Sequence, residues 1–139
     1  MIISKETIIH FMDTEFPQSK CRVESVGNGV ATVSRTVEFD ELRPGGTVSG
    51  PTMMAVADVA IYVALLGTLG IVPMAATTSL NINFLRKPPS HSRIIGKCRL
   101  IKTGRTLVVG EVSLFSEGLA EPVAHAVGTY ALPPSNRNA

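Results

Sequence analysis

From Thr52 to Ala76 the chain carries one formal charge, Asp58, in a run otherwise made almost wholly of apolar and small residues. A segment of that length and composition has two outlets: it spans a bilayer, or it is the enclosed core helix of a water-soluble domain. Gly67-Thr68-Leu69-Gly70 and Pro73 interrupt its second half, and Asp58 would put an ion into hydrocarbon, where it is expensive. The rest of the chain reads as water-soluble sheet, so the core-helix reading is the one that follows. Pro51 suits the first turn of such a helix, where a missing N–H costs nothing. Ala, Met and Leu sustain it to about Leu66, with Gly67 as its expected stop. Asp58 then shares a face with Met54 and Tyr62, one turn to either side. An ionised carboxylate among apolar neighbours is costly unless something compensates it, so Asp58 raises a question of function as well as of fold.

The flanking segments supply what encloses that helix. Residues 5–15 have helical spacing, with Ile8, Ile9, Met12 and Phe16 toward one face, Ser4 as the N-cap and Pro17 as the end. Val23 and Val26 precede Gly27-Asn28-Gly29, a hairpin turn signal, and Val30 to Phe39 alternates as a strand. After the apolar run, "TTSLNINFLR", "SRIIGKCRLIKTG", "RTLVVGEVSLFSEG" and "EPVAHAVGTYALP" alternate in strand fashion, with turns at residues 102–105 and 117–120. The expected order is helix, two strands, long helix, four strands: one α+β domain over 1–139, its antiparallel sheet curled around the central helix. Residues 133–139 are expected to be a disordered tail. One small domain rarely covers every face of so apolar a helix, so a homodimer is expected.

Several function classes drop out. The net charge of +2 does not by itself imply a polyanion partner, although local clustering still matters, and with few aromatics and no Trp a stacking platform for single-stranded nucleic acid is not expected. His10, His91 and His125 are scattered, and no spacing supports a metal site. Cys21 and Cys98 are far apart, form no CxxC pair and follow no secretory signal, so they are expected to be reduced thiols in a cytoplasmic protein. There is no P-loop, Rossmann fingerprint or nucleophile elbow.

Three features are left to carry chemistry. Asp58 is either a structural polar residue, at the exposed edge of the helix or hydrogen-bonded within the core, or a carboxylate that activates water or attacks directly. The loop "RPGGTVSGPT" enters the helix, where unpaired N–H groups, Gly50 foremost, suit an anion or a polarised carbonyl; alternatively its glycines only permit a turn. Downstream, Arg86, Lys87, Arg93, Lys97, Arg99, Lys102 and Arg105 run without an intervening acid. Such a run is a solvated strand face or a rim for phosphates.

The stretches "GGTVSGPTMMAVADVAIYVALL", "AATTSLNINFLRKPP" and "KTGRTLVVGEVSLFSEG" resemble the PaaI-like group of hotdog-fold acyl-CoA thioesterases, over about Arg43 to Tyr130. The resemblance implies a hotdog fold, with the active site between paired subunits of a homodimer or homotetramer. It gives the helix acid, Asp58, the role of general base or nucleophile on the thioester. The N–H of Gly50 would polarise the carbonyl, and the hydroxyl of Thr77 would hold the acid or the water. It implies substrate contacts from Arg43 and Ser49 in the loop and from Met54 and Tyr62 along the helix. Arg86, Lys87 and Arg105 would meet the phosphates of CoA, which enters as part of an acyl-CoA substrate; no separate cofactor or metal, and no nucleic-acid or membrane partner, is implied. Two departures stand out: the family's His-Gly-Gly reads Ser49-Gly50-Pro51, and Arg43 replaces a common Asn. The altered loop keeps open a non-catalytic binder of CoA esters or lipid-like ligands. A hotdog dehydratase or hydratase is disfavoured, since no His lies in the loop or helix.

Overall fold

Helix α1 spans Lys5–Glu15, opened by Ser4, whose hydroxyl accepts the Thr7 N–H at 3.2 Å. The computed structural model describes residues 3–90 and 92–134; His91 and positions 135–139 of the expected disordered tail lie outside them. Ile8 and Met12 are the buried positions of α1, one turn apart, as the spacing requires.

Strands β1 (Arg22–Gly27) and β2 (Val30–Thr36) form a hairpin closed by Asn28 and Gly29. Both turn residues have positive φ, 43° and 82°, the two-residue turn whose twist matches that of paired strands. β2 is shorter than the alternation of Val30–Phe39 predicts. It stops at Thr36, because Glu38 and Glu41 bond reciprocally to each other's backbone and wind Phe39–Glu41 into a 3₁₀ turn. Phe39, expected in the strand, is left 90% exposed.

Helix α2 covers Gly50–Leu69, and thirteen of its twenty residues are buried. It is long and apolar enough to span a bilayer by length and composition, yet most of it is packed inside the protein. It runs three residues beyond the expected end at Leu66. The stop is Gly70, at φ 97°, rather than Gly67. Gly67 instead admits β1: a Cβ there would lie 2.4 Å from a methyl of Val26.

Strands β3 (Ala76–Phe84), β4 (Arg93–Thr103), β5 (Leu107–Ser116) and β6 (Ala124–Ala131) complete one antiparallel sheet in the order β1-β2-β4-β5-β6-β3. Its concave face wraps α2. Val33, Ile94, Val112, Leu114 and Ala126 bury completely beneath the helix, the four larger side chains adding about 1.5–3 kcal/mol each. Where α2 comes closest the sheet carries glycine. Gly110 and Gly128 are paired neighbours on β5 and β6, and a Cβ on either would press on Ile61. This is the hotdog arrangement expected from the sequence. The sheet is open at β1 and β3, and β3 is exposed along most of its length.

Candidate active site

Asp58 lies midway along α2, half-buried, on the side facing β3 and β6. Two hydroxyls reach its Oδ1: Thr77 donates at 2.7 Å and Tyr130 at 2.9 Å. The Tyr130 hydroxyl is also 3.1 Å from the Asp58 carbonyl oxygen. Oδ2 accepts no hydrogen bond among the described residues, so one oxygen of the carboxylate is anchored and the other is not.

A backbone irregularity makes this contact. Leu80 and Ile82 turn inward and are half-buried, which by strand alternation would also turn Thr78 inward and Thr77 away. The register against β6 slips between Thr77 and Ser79, so β3 carries a bulge there. The extra residue reverses the parity and points Thr77 at Asp58. Thr78, now on the other side, donates to the Thr129 carbonyl at 3.3 Å.

Tyr130 is held flat against Tyr62, with centroids 5.8 Å apart and planes 22° apart. Phe11 and Phe16 close on Tyr62 from α1, at 6.3 and 6.1 Å. Burial, and behind it the charge of Asp58, push the Tyr130 phenol well above its usual pKa, so it keeps its proton and donates. Tyr62 is likewise raised by burial, and its hydroxyl donates to the Pro73 carbonyl at 3.2 Å. Asp58, Thr77 and these four rings line one cavity of about 370 Å³. Four of the chain's seven aromatic side chains therefore gather around one carboxylate.

Gly50 lies elsewhere in the protomer. It is the first residue of α2, eight before Asp58, or about 12 Å along the helix axis at the usual rise. Its N–H is among the four at a helix start with no intrahelical acceptor. The preceding loop is held by Glu41. The Glu41 carboxylate accepts from the Glu38 N–H at 2.9 Å, from Thr52 Oγ1 at 3.3 Å and from Arg35, and its carbonyl accepts the Ser49 N–H at 2.9 Å. Ser49 is occupied in capping α2, its Oγ accepting the Thr52 N–H at 3.3 Å.

Gly50 lines a second cavity, also about 370 Å³, with Arg43, Phe84, Arg86 and Lys87. Three bases and no acid surround it. Arg86 is partly committed, donating to Glu121 at 2.8 Å and to the Pro122 carbonyl at 2.6 Å. Arg43 and Lys87 make no ion pair among the described residues. The structure thus gathers Asp58, Thr77 and Tyr62 at one end and Gly50, Arg43, Arg86 and Lys87 at the other. Met54, at 38% exposure, lines neither cavity, and Arg105 sits on the β4–β5 turn, lining neither. Of the other bases of the run, Arg93 pairs with Glu24 and Glu117, Arg99 pairs with Glu111, and Lys97 lies over the ring of Phe115.

The thioesterase superfamily model matches residues 45–123. A search of curated proteins finds no match. Among solved structures, a candidate thioesterase of Silicibacter sp. is 41% identical over 96% of this chain and 95% of its own, with a TM-score of 0.88. The phenylacetic acid degradation protein PaaI of Thermus thermophilus is 24% identical over 89% of this chain and 99% of its own, with a TM-score of 0.72. A hypothetical thioesterase of Streptococcus pneumoniae, solved with coenzyme A, is 17% identical over 94% and 97%, with a TM-score of 0.74. The last two likenesses are likenesses of fold.

Proposed function

The chain belongs to the thioesterase superfamily, and on that premise we propose that it hydrolyses a small or medium acyl-CoA to the free acid and CoA, as a cytoplasmic homodimer or homotetramer without a separate cofactor. The observation that carries this reading is the carboxylate of Asp58, pinned through Oδ1 by Thr77 and Tyr130 and opening on a ring-lined cavity. In the proposed reaction Oδ2 takes a proton from water, or attacks the thioester carbon itself. Negative charge develops on the carbonyl oxygen and is met by the N–H of Gly50, an interaction worth about 3 kcal/mol in comparable sites. The CoA thiolate leaves toward the basic cavity, where Arg43 and Lys87, with Arg86, face its phosphates.

Asp58 and Gly50 are too far apart in one protomer to share a carbonyl group. β3 resolves this. It is an edge strand with a free row of N–H and C=O groups and no charged residue between Ala76 and Phe84, so it is suited to pair with a second copy. A two-fold axis through its middle would set the Asp58 end of one protomer beside the Gly50 end of the other. The S. pneumoniae protein of the same fold was solved with coenzyme A, which supports an acyl-CoA ligand.

The altered Ser49-Gly50-Pro51 loop favours a second reading, a protein that holds a CoA ester without cleaving it. One assay separates them: a panel of acyl-CoA thioesters scored by free-thiol release, with Asp58→Ala and Asp58→Asn as controls. The hydrolase reading expects turnover that falls by orders of magnitude in both variants while the fold is kept. Full turnover in Asp58→Ala would overturn the mechanism. Calorimetric binding of a non-hydrolysable CoA thioether, with no turnover anywhere in the panel, would leave the binder.

A further inference from the structure

We propose that Glu15 makes the Asp58 cavity a charge filter, admitting acyl groups whose far end is neutral or positively charged and turning away those that end in a carboxylate. The inference deepens the reading above and rests on this cavity holding the acyl group. Glu15 stands in the last turn of α1 and lines the cavity together with Phe11 and Phe16, which anchor that turn on Tyr62. Its side chain is exposed at the rim of the cavity and makes no ion pair and no hydrogen bond among the described residues, so its charge is free to act on what enters.

With Asp58 it gives the cavity two carboxylates, and no Lys, Arg or His lines it. An acyl chain bearing its own carboxylate would bring a third negative charge into a space with no counter-ion. The repulsion is screened by the water that reaches the exposed Glu15, but no opposite charge on the lining offsets it. A neutral end adds no charge to repel and can pack on the rings of Phe11, Phe16 and Tyr62. An ammonium end meets opposite charge and ring faces, a favourable environment for cations. The second cavity has the opposite lining, three bases and no acid, so the anionic CoA portion is drawn to the other end.

The test uses three acyl-CoA thioesters built on one four-carbon chain: succinyl, butyryl and 4-(trimethylammonio)butyryl. The parent protein is expected to hydrolyse the last two in preference to the first, by kcat/KM. Glu15→Gln keeps the shape of the side chain and removes its charge. It should raise the succinyl-to-butyryl ratio about five- to tenfold, the scale of one charge–charge interaction across a wet cavity. Asp13→Asn, on the same helix but lining another depression, removes an equal charge and should leave the ratio unchanged. An unchanged ratio in Glu15→Gln, an equal shift in Asp13→Asn, or a parent preference for succinyl-CoA would each overturn the filter. If no ester is hydrolysed, the hydrolase reading fails by itself. The same ratio, measured as binding of the corresponding non-hydrolysable thioethers, then decides the filter independently.

Discussion

Tyr130 is the side chain by which the candidate site differs most from what its sequence announces. Asp58 and Thr77 are reached from sequence, the first as a lone acid in an apolar helix, the second through family resemblance. Nothing local marks Tyr130, which is 72 positions from Asp58 and meets it only because β6 lies between β5 and β3. Strand alternation foretells that Ala124, Ala126, Gly128 and Tyr130 share a face, but it cannot say which neighbour that face meets. Its role can be separated from that of Thr77 because both donate to one oxygen. Tyr130→Phe keeps the ring stacked on Tyr62 and deletes only the donor. A hydrogen bond to a charged group is worth about 1.5–3 kcal/mol, so kcat should fall roughly ten- to a hundredfold. KM should change less than about twofold, since the variant disturbs the orientation of the carboxylate rather than the room for the acyl group. Steady-state kinetics on the best ester of the panel would show this. A rise in KM at constant kcat would place Tyr130 in substrate binding instead.

At the scale of elements the order and kinds were legible, because each rests on a local signal: a period of 3.6 in α1, unbroken apolarity in α2, alternation in the strands. What failed to appear was set by contacts between elements. Gly67 has the local look of a helix stop, yet α2 passes through it and ends at Gly70. The reason is Val26 on β1, which leaves no space for a Cβ. The bulge at Thr77–Ser79 is equally invisible, for "TTSL" alternates without a glycine or proline to mark it. The two explanations of Gly67 predict opposite outcomes for Gly67→Ala. Were the residue only a weak helix former, alanine would stabilise by roughly 1 kcal/mol. Because it is a spacer, the new methyl group would force Val26 and the β1–β2 hairpin outward, and overpacking of this kind costs about 1–3 kcal/mol. A lower urea midpoint than that of the parent is therefore expected, with an unchanged slope. A higher midpoint would return Gly67 to the role its sequence context suggests.

For the whole molecule the governing fact is the separation of two cavities of opposite lining, one carrying the acid, the other carrying the helix-start N–H and the bases. In the proposed reaction, a protomer acting alone would hold the Asp58 carboxylate with the Gly50 N–H out of reach. If pairing through β3 joins unlike ends, each complete site draws Asp58 from one copy and Gly50 from the other, and activity can be restored by mixing two dead proteins. Asp58→Ala supplies the first. Gly50→Pro supplies the second. Ser49, at φ −71° and ψ 152°, already has the backbone that precedes proline, and proline fits the first helical position; because residue 50 is itself followed by Pro51, an unchanged urea midpoint is the check that only the N–H is lost. Gly50→Ala is the matched control, because it retains the N–H and sets its methyl group 3.2 Å from the half-exposed ring of Phe84, which has room to move. Each dead variant should lose about a hundredfold or more in kcat, and the alanine control little. When the two are unfolded together and refolded at equal concentration, half of the pairs are mixed, and each mixed pair holds one intact site of two. Recovery of about a quarter of the parent activity is then expected, as follows from a symmetric dimer with shared sites. Recovery absent from a mixture that sediments as dimer would mean that Asp58 and Gly50 never serve the same carbonyl.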